Sequence, residues 1–243
     1  MRNLWWVLPV FLIALLFNLD RVGRHYYPFH YRELIQYHAR QYELDPYLVA
    51  AIIKTESNFN PRARSPEDAR GLMQILPETG RWIAEHYGEQ GFQADYLYNP
   101  AYNIRLGTRY LAYLFQEFNG NVIVVLAAYN GGLGNVRVWL EETGWTGERY
   151  TLDQIPFPET RQFVRKVLWT QRLYRYLYKD LATGLSNTAQ HTGAPRADIR
   201  VIPVYSHVFA VNPAAGAFLP WRPLHHQAQI FLTGSLRSRA GFV

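Results

Sequence analysis

The chain contains no cysteine. That excludes a disulfide scaffold, a thiol nucleophile and any cysteine-ligated zinc or iron–sulfur site. Acids are in short supply too, 19 against 25 basic residues, for a net charge of +6. Such an excess favours an anionic partner, whether nucleic acid, anionic lipid or wall polymer, without choosing among them. Charged residues are only 18% of the 243 and hydrophobic residues 49%, which excludes global disorder and permits a packed core. Internal repeats are absent and strand patterning is scarce. Aromatic residues, by contrast, are plentiful: 18 Tyr, 13 Phe and 7 Trp, 16% of the chain. That exceeds what a core alone needs, and suits a polymer groove lined with rings or a surface close to a membrane.

Residues 4–19 carry no charge, and Asn18 is their one strongly polar side chain. The run is slightly short for a membrane-spanning helix and slightly long for a signal-peptide core. Asp20-Arg21-Val22-Gly23-Arg24 offers no small-x-small cleavage site. Trp5 and Trp6 in front, with Tyr26, Tyr27 and Phe29 behind, read as interfacial belts. Residues 1–30 are therefore expected to be an uncleaved single-pass membrane anchor. Arg2 in front and Arg21 and Arg24 behind do not orient it.

Helix signals dominate the rest. Asp45-Pro46 is an N-cap with proline at the first helical position. Leu48, Val49, Ile52 and Ile53 then recur at helical spacing as far as Glu56-Ser57, and Asn60-Pro61 stops the helix. Ser65-Pro66 opens a shorter turn. A second helix runs over 77–87 and ends at Gly88, and Asn99-Pro100 caps a long one through Phe118. The segment 122–129 is too apolar to be amphipathic, so it should be a central buried helix. Pro158 opens a last helix through Tyr178, with Phe163, Val167, Leu168 and Tyr174 inward and Arg161, Arg165, Lys166 and Arg172 outward. The expected fold is all-α, with one compact domain over 31–178. Beyond Lys179 there is neither lysine nor glutamate. Residues 179–243 are expected to be a weakly ordered extension with one candidate strand at 201–211, and the pair His225-His226 reads as a solvated loop.

Four short motifs can carry chemistry. Glu56 ends an apolar helix, where desolvation would raise its pKa and make it a general acid near neutral pH. Gly71-Leu72-Met73-Gln74 can bring backbone close to a ligand while Gln74 hydrogen-bonds it. Tyr129 and Asn130 put a phenol and an amide at the end of the buried helix. Glu159 stands in the first turn of the last helix, where the dipole stabilises a carboxylate whatever its function. Singly, each has an ordinary structural explanation.

In combination they resemble the lytic transglycosylases of the soluble-lytic-transglycosylase (SLT) type, lysozyme-like enzymes that cut peptidoglycan strands. The order matches: Glu56-Ser57, Gly71-Leu72-Met73-Gln74, Ala128-Tyr129-Asn130, then Pro158-Glu159-Thr160 with Phe163-Val164. Asn58-Phe59-Asn60-Pro61 and Gly107-Thr108-Arg109-Tyr110-Leu111 are similar as well. The resemblance covers about 31–178 and implies a lysozyme-like catalytic domain with no metal and no cofactor. It also implies that Glu56 protonates the oxygen between N-acetylmuramic acid and N-acetylglucosamine. The muramyl acetamido carbonyl then attacks the anomeric carbon, and Glu56 takes the C6 hydroxyl proton as a 1,6-anhydro ring closes without water. By the same resemblance Ser57 and Gln74 sit beside Glu56, Met73 and the Gly71 backbone line the sugar subsites, and Leu72 is a further substrate-binding residue. Tyr129 and Asn130 position the acetamido group, and Glu159 is a second, non-nucleophilic carboxylate of the cleft.

Peptidoglycan strands and the cytoplasmic membrane are the implied partners, with envelope assembly proteins beside them. The catalytic domain is expected on the extracytoplasmic face of a bacterial membrane. A goose-type lysozyme of the same fold would need Glu67, Asp68 or Asp95 to hold a water opposite Glu56. A non-catalytic wall-binding protein would keep the groove without turnover. A nucleic-acid binder is disfavoured because the basic residues form no recognition pattern.

Overall fold

A computed structural model describes residues 7–179. Eight α-helices account for most of that span: α1 (Val7–Tyr26), α2 (Arg32–Gln41), α3 (Pro46–Ser57), α4 (Pro77–His86), α5 (Pro100–Glu117), α6 (Val122–Gly131), α7 (Leu133–Glu142) and α8 (Pro158–Leu177). Short 3-10 turns cover Ala94–Tyr98 and Arg149–Gln154. Among the described residues, strand pairing is limited to isolated bridges, Arg64 with Arg70 and Arg70 with Ile75. The mainly helical expectation therefore holds. The candidate strand at 201–211 and the His225-His226 pair lie outside the described residues, as do Trp5 and Trp6.

The helix ends follow local chemistry. Asp45 accepts the Tyr47 amide at 3.0 Å to start α3, Asn99 caps α5 through Tyr102, and Asn121 caps α6 through Ile123 and Val124. Proline follows the cap directly in α3 and α5, where its missing N–H costs nothing. The Asp45 carboxylate does more than cap. Its second oxygen accepts Gln171 at 2.5 Å and Arg175 at 2.8 Å, tying the start of α3 to the end of α8.

α3 packs along α8, and α6 packs against α8 and α7. Leu48 to Ile53 of α3 and Ile123 to Ala128 of α6 are all buried. Around this centre α2, α4 and α5 form a second layer, with Ile35, Ile83, Ile104, Leu111 and Leu114 pointing into it. Sequence patterning left out α2 and α7. Only Val136 and Trp139 of α7 are buried, too few for a clear period.

The membrane-anchor expectation gains no support from the described residues. α1 forms, but Asp20, Arg21, Arg24 and His25 occupy its last two turns, and the uncharged run begins at Leu4, outside the described residues. Among the described residues no helix is long and apolar enough to cross a membrane. The charged end of α1 is docked on the domain. Arg24 Nε donates to the Leu177 carbonyl at 2.9 Å, and Gly23 lies so close to the Leu177 side chain that a Cβ there would fall 2.6 Å from it.

Candidate active site

A cleft of about 430 Å³ opens beside the end of α3, and Glu56 lines it. Burial of the carboxyl pushes its pKa up to about 8, the negative charge of Glu159 adds to the rise, and Lys166 opposes it. An acid that is still protonated at neutral pH can donate, and once ionised it is a strong base. Glu56 is the only carboxyl among the described residues that line this cleft, which it shares with Lys54, Arg64, Gln74, Lys166 and Trp169. Lys54 is itself held in place: its ammonium donates to the Tyr26 carbonyl at 2.8 Å and to Asn58 Oδ1 at 2.5 Å.

The wall opposite α3 is the loop 58–75, and its shape comes from unusual backbone. Asn58, Phe59, Asp68, Gly71 and Gln74 all have positive φ. Gly71 is the position where that matters most, because a Cβ would lie 2.1 Å from the Leu97 carbonyl oxygen. The loop is clamped by Asn103, which is 0% exposed on α5. Its Nδ2 donates to the Arg70 and Leu97 carbonyls, and its Oδ1 accepts the Met73 amide at 2.8 Å. Two further hydroxyls close the seam. Ser57 Oγ donates to Leu72 O at 2.8 Å, and Tyr129 Oη donates to Met73 O at 2.7 Å.

The expected site residues thus separate by role. Glu56, Ser57 and Gln74 line one cleft, although the Ser57 hydroxyl is engaged by backbone carbonyls. Gln74 likewise spends its amide donor on the Gly71 and Ala63 carbonyls. Leu72 and Met73, expected at sugar subsites, are not among the residues that line this cleft. Both side chains are 0% exposed, and the Met73 sulfur fills the space that Gly107 leaves on α5. Gly71 is likewise buried. These residues contribute their backbone and their packing. Tyr129 lies stacked on Phe163, centroids 6.3 Å apart. Burial and the Glu56 charge raise its pKa, so it stays a hydrogen-bond donor. Asn130 Oδ1, Thr55 Oγ1 and Thr160 Oγ1 are buried without a hydrogen-bond partner among the described residues, and native interiors leave few such groups. Glu159 is exposed in the first turn of α8 and acts on Glu56 through its charge.

Sequence reasoning missed Asn103, Lys54, Tyr27 and Trp169. Asn103 had a faint signal, a polar residue on the apolar face of α5. Trp169 had none, since one indole among seven is undistinguished in sequence. Among the described residues no group of three or more His, Asp or Glu side chains could hold a metal ion.

Residues 33–152 match the family described as the transglycosylase SLT domain. The chain is 36% identical over 189 residues to the soluble lytic murein transglycosylase of Escherichia coli K12, covering 77% of this chain and 29% of that protein. Among solved structures, an inactive mutant of lytic transglycosylase Slt from Pseudomonas aeruginosa is 35% identical with a TM-score of 0.57, covering 62% of this chain and 24% of that one. The 70-kDa soluble lytic transglycosylase in complex with bulgecin A is 36% identical with a TM-score of 0.59, covering 63% and 25%. The chain spans less than a third of the length of the curated relatives it matches.

Proposed function

The chain belongs, through residues 33–152, to the SLT-type lytic transglycosylases, and from that premise we propose that it cuts peptidoglycan glycan strands without water. The bond is the β-1,4 link from N-acetylmuramic acid to N-acetylglucosamine, and the product carries a 1,6-anhydro-muramyl end. The observation that carries this reading is Glu56, a desolvated carboxyl unaccompanied by a second carboxyl among the described residues that line its cleft.

Glu56 starts protonated and gives its proton to the bridging oxygen as the C1–O bond breaks. With no carboxylate nucleophile among the described residues that line the cleft, the muramyl acetamido oxygen attacks C1 and forms a cyclic oxazolinium. The Glu56 carboxylate then removes the C6 hydroxyl proton, O6 attacks C1, and the acetamido group is released as Glu56 is reprotonated. The balance closes with no water consumed. An ordinary glycosidase needs two carboxylates at defined separation. Tyr129, Asn130 and Gln74 orient the substrate in this reading, and Glu159 keeps Glu56 protonated through its charge.

The lysozyme alternative is weakened by where its acids go. Asp68 pairs with Arg64 and Arg70, Asp95 pairs with Arg70, and none of Glu67, Asp68 and Asp95 lines the cleft. A wall polymer as substrate puts the working enzyme on the extracytoplasmic side of a bacterial envelope. The test is mass spectrometry of fragments released from purified peptidoglycan by wild type and Glu56→Gln. Fragments one water lighter than reducing-end muropeptides, lost in the variant, are expected. Reducing-end products would establish hydrolysis instead.

A further inference from the structure

Trp169 is 55% exposed on α8, while Leu168 and Thr170 on either side of it are buried. An indole left in water contributes little to the core, yet this one lines the Glu56 cleft. Its ring meets Tyr27 at 5.6 Å between centroids, with the planes at 67°. Tyr27 is firmly placed, although it comes from the strap that follows α1. Tyr178 Oη donates to the Tyr27 carbonyl and Tyr174 Oη to the Pro28 carbonyl, both at 3.0 Å. The Lys54 ammonium sits 5.0 Å from the Tyr27 ring centroid. Tyr27 and Trp169 both fall outside the matched span 33–152.

We infer that Trp169, braced by Tyr27, is a stacking surface for a pyranose ring of the substrate next to Glu56, supplied by the segments that flank the matched domain. A pyranose presents a face of C–H bonds with partial positive charge, and an indole face is the negative pole of its quadrupole. Trp169 and Glu56 line the same cleft, so a ring held on the indole is held beside the acid. This rests on the reading of the cleft as a glycan site.

The test uses the full chain carrying Glu56→Gln, so that ligand is bound and not consumed, titrated calorimetrically with the N-acetylglucosamine hexamer. Adding Trp169→Ala should weaken binding about three- to tenfold, the worth of one aromatic contact, and Trp169→Phe should restore most of it. With Glu56 intact, Trp169→Ala should raise KM on peptidoglycan and leave kcat in place, as loss of uniform binding does. Its thermal midpoint should match wild type, since the indole is exposed. Hexamer affinity within twofold of the parent in Trp169→Ala would overturn the stacking surface alone. Failure of the Glu56→Gln parent to bind the hexamer would overturn the glycan reading and the stacking surface together.

Discussion

α6 and the loop 58–75 converge on Glu56 by opposite means. α6 is apolar on every side, and burial holds it: Ile123 to Ala128 are all removed from water, and one asparagine caps its start. The loop has little continuous apolar surface and five residues with positive φ. What holds it is a set of directed hydrogen bonds from Asn103, Ser57 and Tyr129. Burial is non-directional and tolerates small shape changes, whereas a buried hydrogen bond fails when either partner is lost. The helix should therefore resist substitution in function and the loop should not.

The largest effect is expected at the clamp. Asn103→Ala strands the Met73 amide and the Arg70 and Leu97 carbonyls in a dry interior, at about 3–5 kcal/mol in total. Urea unfolding measures that loss. Turnover on peptidoglycan should fall further than the folded fraction explains, because the loop wall of the cleft is released. Activity that simply tracks the folded fraction would break the contrast between loop and helix.

Next comes Glu56, where the two regions meet. Its folded pKa of about 8 lies above the ordinary carboxyl value of 4.5, so the folded state binds more protons between those values. The stability this contributes is fully present below about pH 4.5 and is lost as pH rises through about 8. Glu56→Gln removes that loss. The variant should match wild type near pH 4 and exceed it by about 2–3 kcal/mol at pH 9, allowing for partial solvent access. Equal stability at both pH values would mean that the carboxyl is well hydrated, and the acid role would lose its physical basis. The same shift sets activity: kcat/KM should decline above about pH 8 as the acid ionises.

The helical side gives the control. Val125→Ala, at a fully buried position of α6, should cost about 2 kcal/mol through lost burial and a small cavity. Peptidoglycan turnover per folded molecule should stay within twofold of wild type. A larger drop would show that α6 packing is transmitted to the site after all.

The same division explains what could be read from sequence. α3, α5, α6 and α8 were legible because period, caps and prolines are local signals, and Asp45-Pro46 and Asn99-Pro100 marked their starts closely. Glu56 was legible as a carboxyl on an apolar run, and the cause named for it, desolvation, is the first cause of its shift. The loop was legible only as a motif. Nothing in Gly71-Leu72-Met73-Gln74 says that Leu72 and Met73 turn inward, because that depends on Asn103 thirty residues away and on the gap at Gly107. The charge pattern at the end of α1 was visible in the sequence. The docking of that end on Leu177 is a long-range contact with no local signature.

The smallest effect is expected where the two regions are stitched together. Tyr129→Phe removes the hydroxyl that reaches from the end of α6 to the Met73 carbonyl, and keeps the ring against Phe163 and Tyr110. The cost in stability should be about 1 kcal/mol, that of one neutral hydrogen bond. If the hydroxyl only fastens the loop, kcat/KM falls severalfold with the shape of its pH profile unchanged. The Glu56 charge is one cause of the raised Tyr129 pKa, so the two groups feel each other. If the hydroxyl also solvates the ionised form of Glu56 during the base step, its removal makes that form costlier, and the alkaline limb of the profile moves to higher pH. A profile recorded from pH 5 to 10 separates a fastener from a participant, and a shifted limb would place the end of α6 in the chemistry as well as in the scaffold.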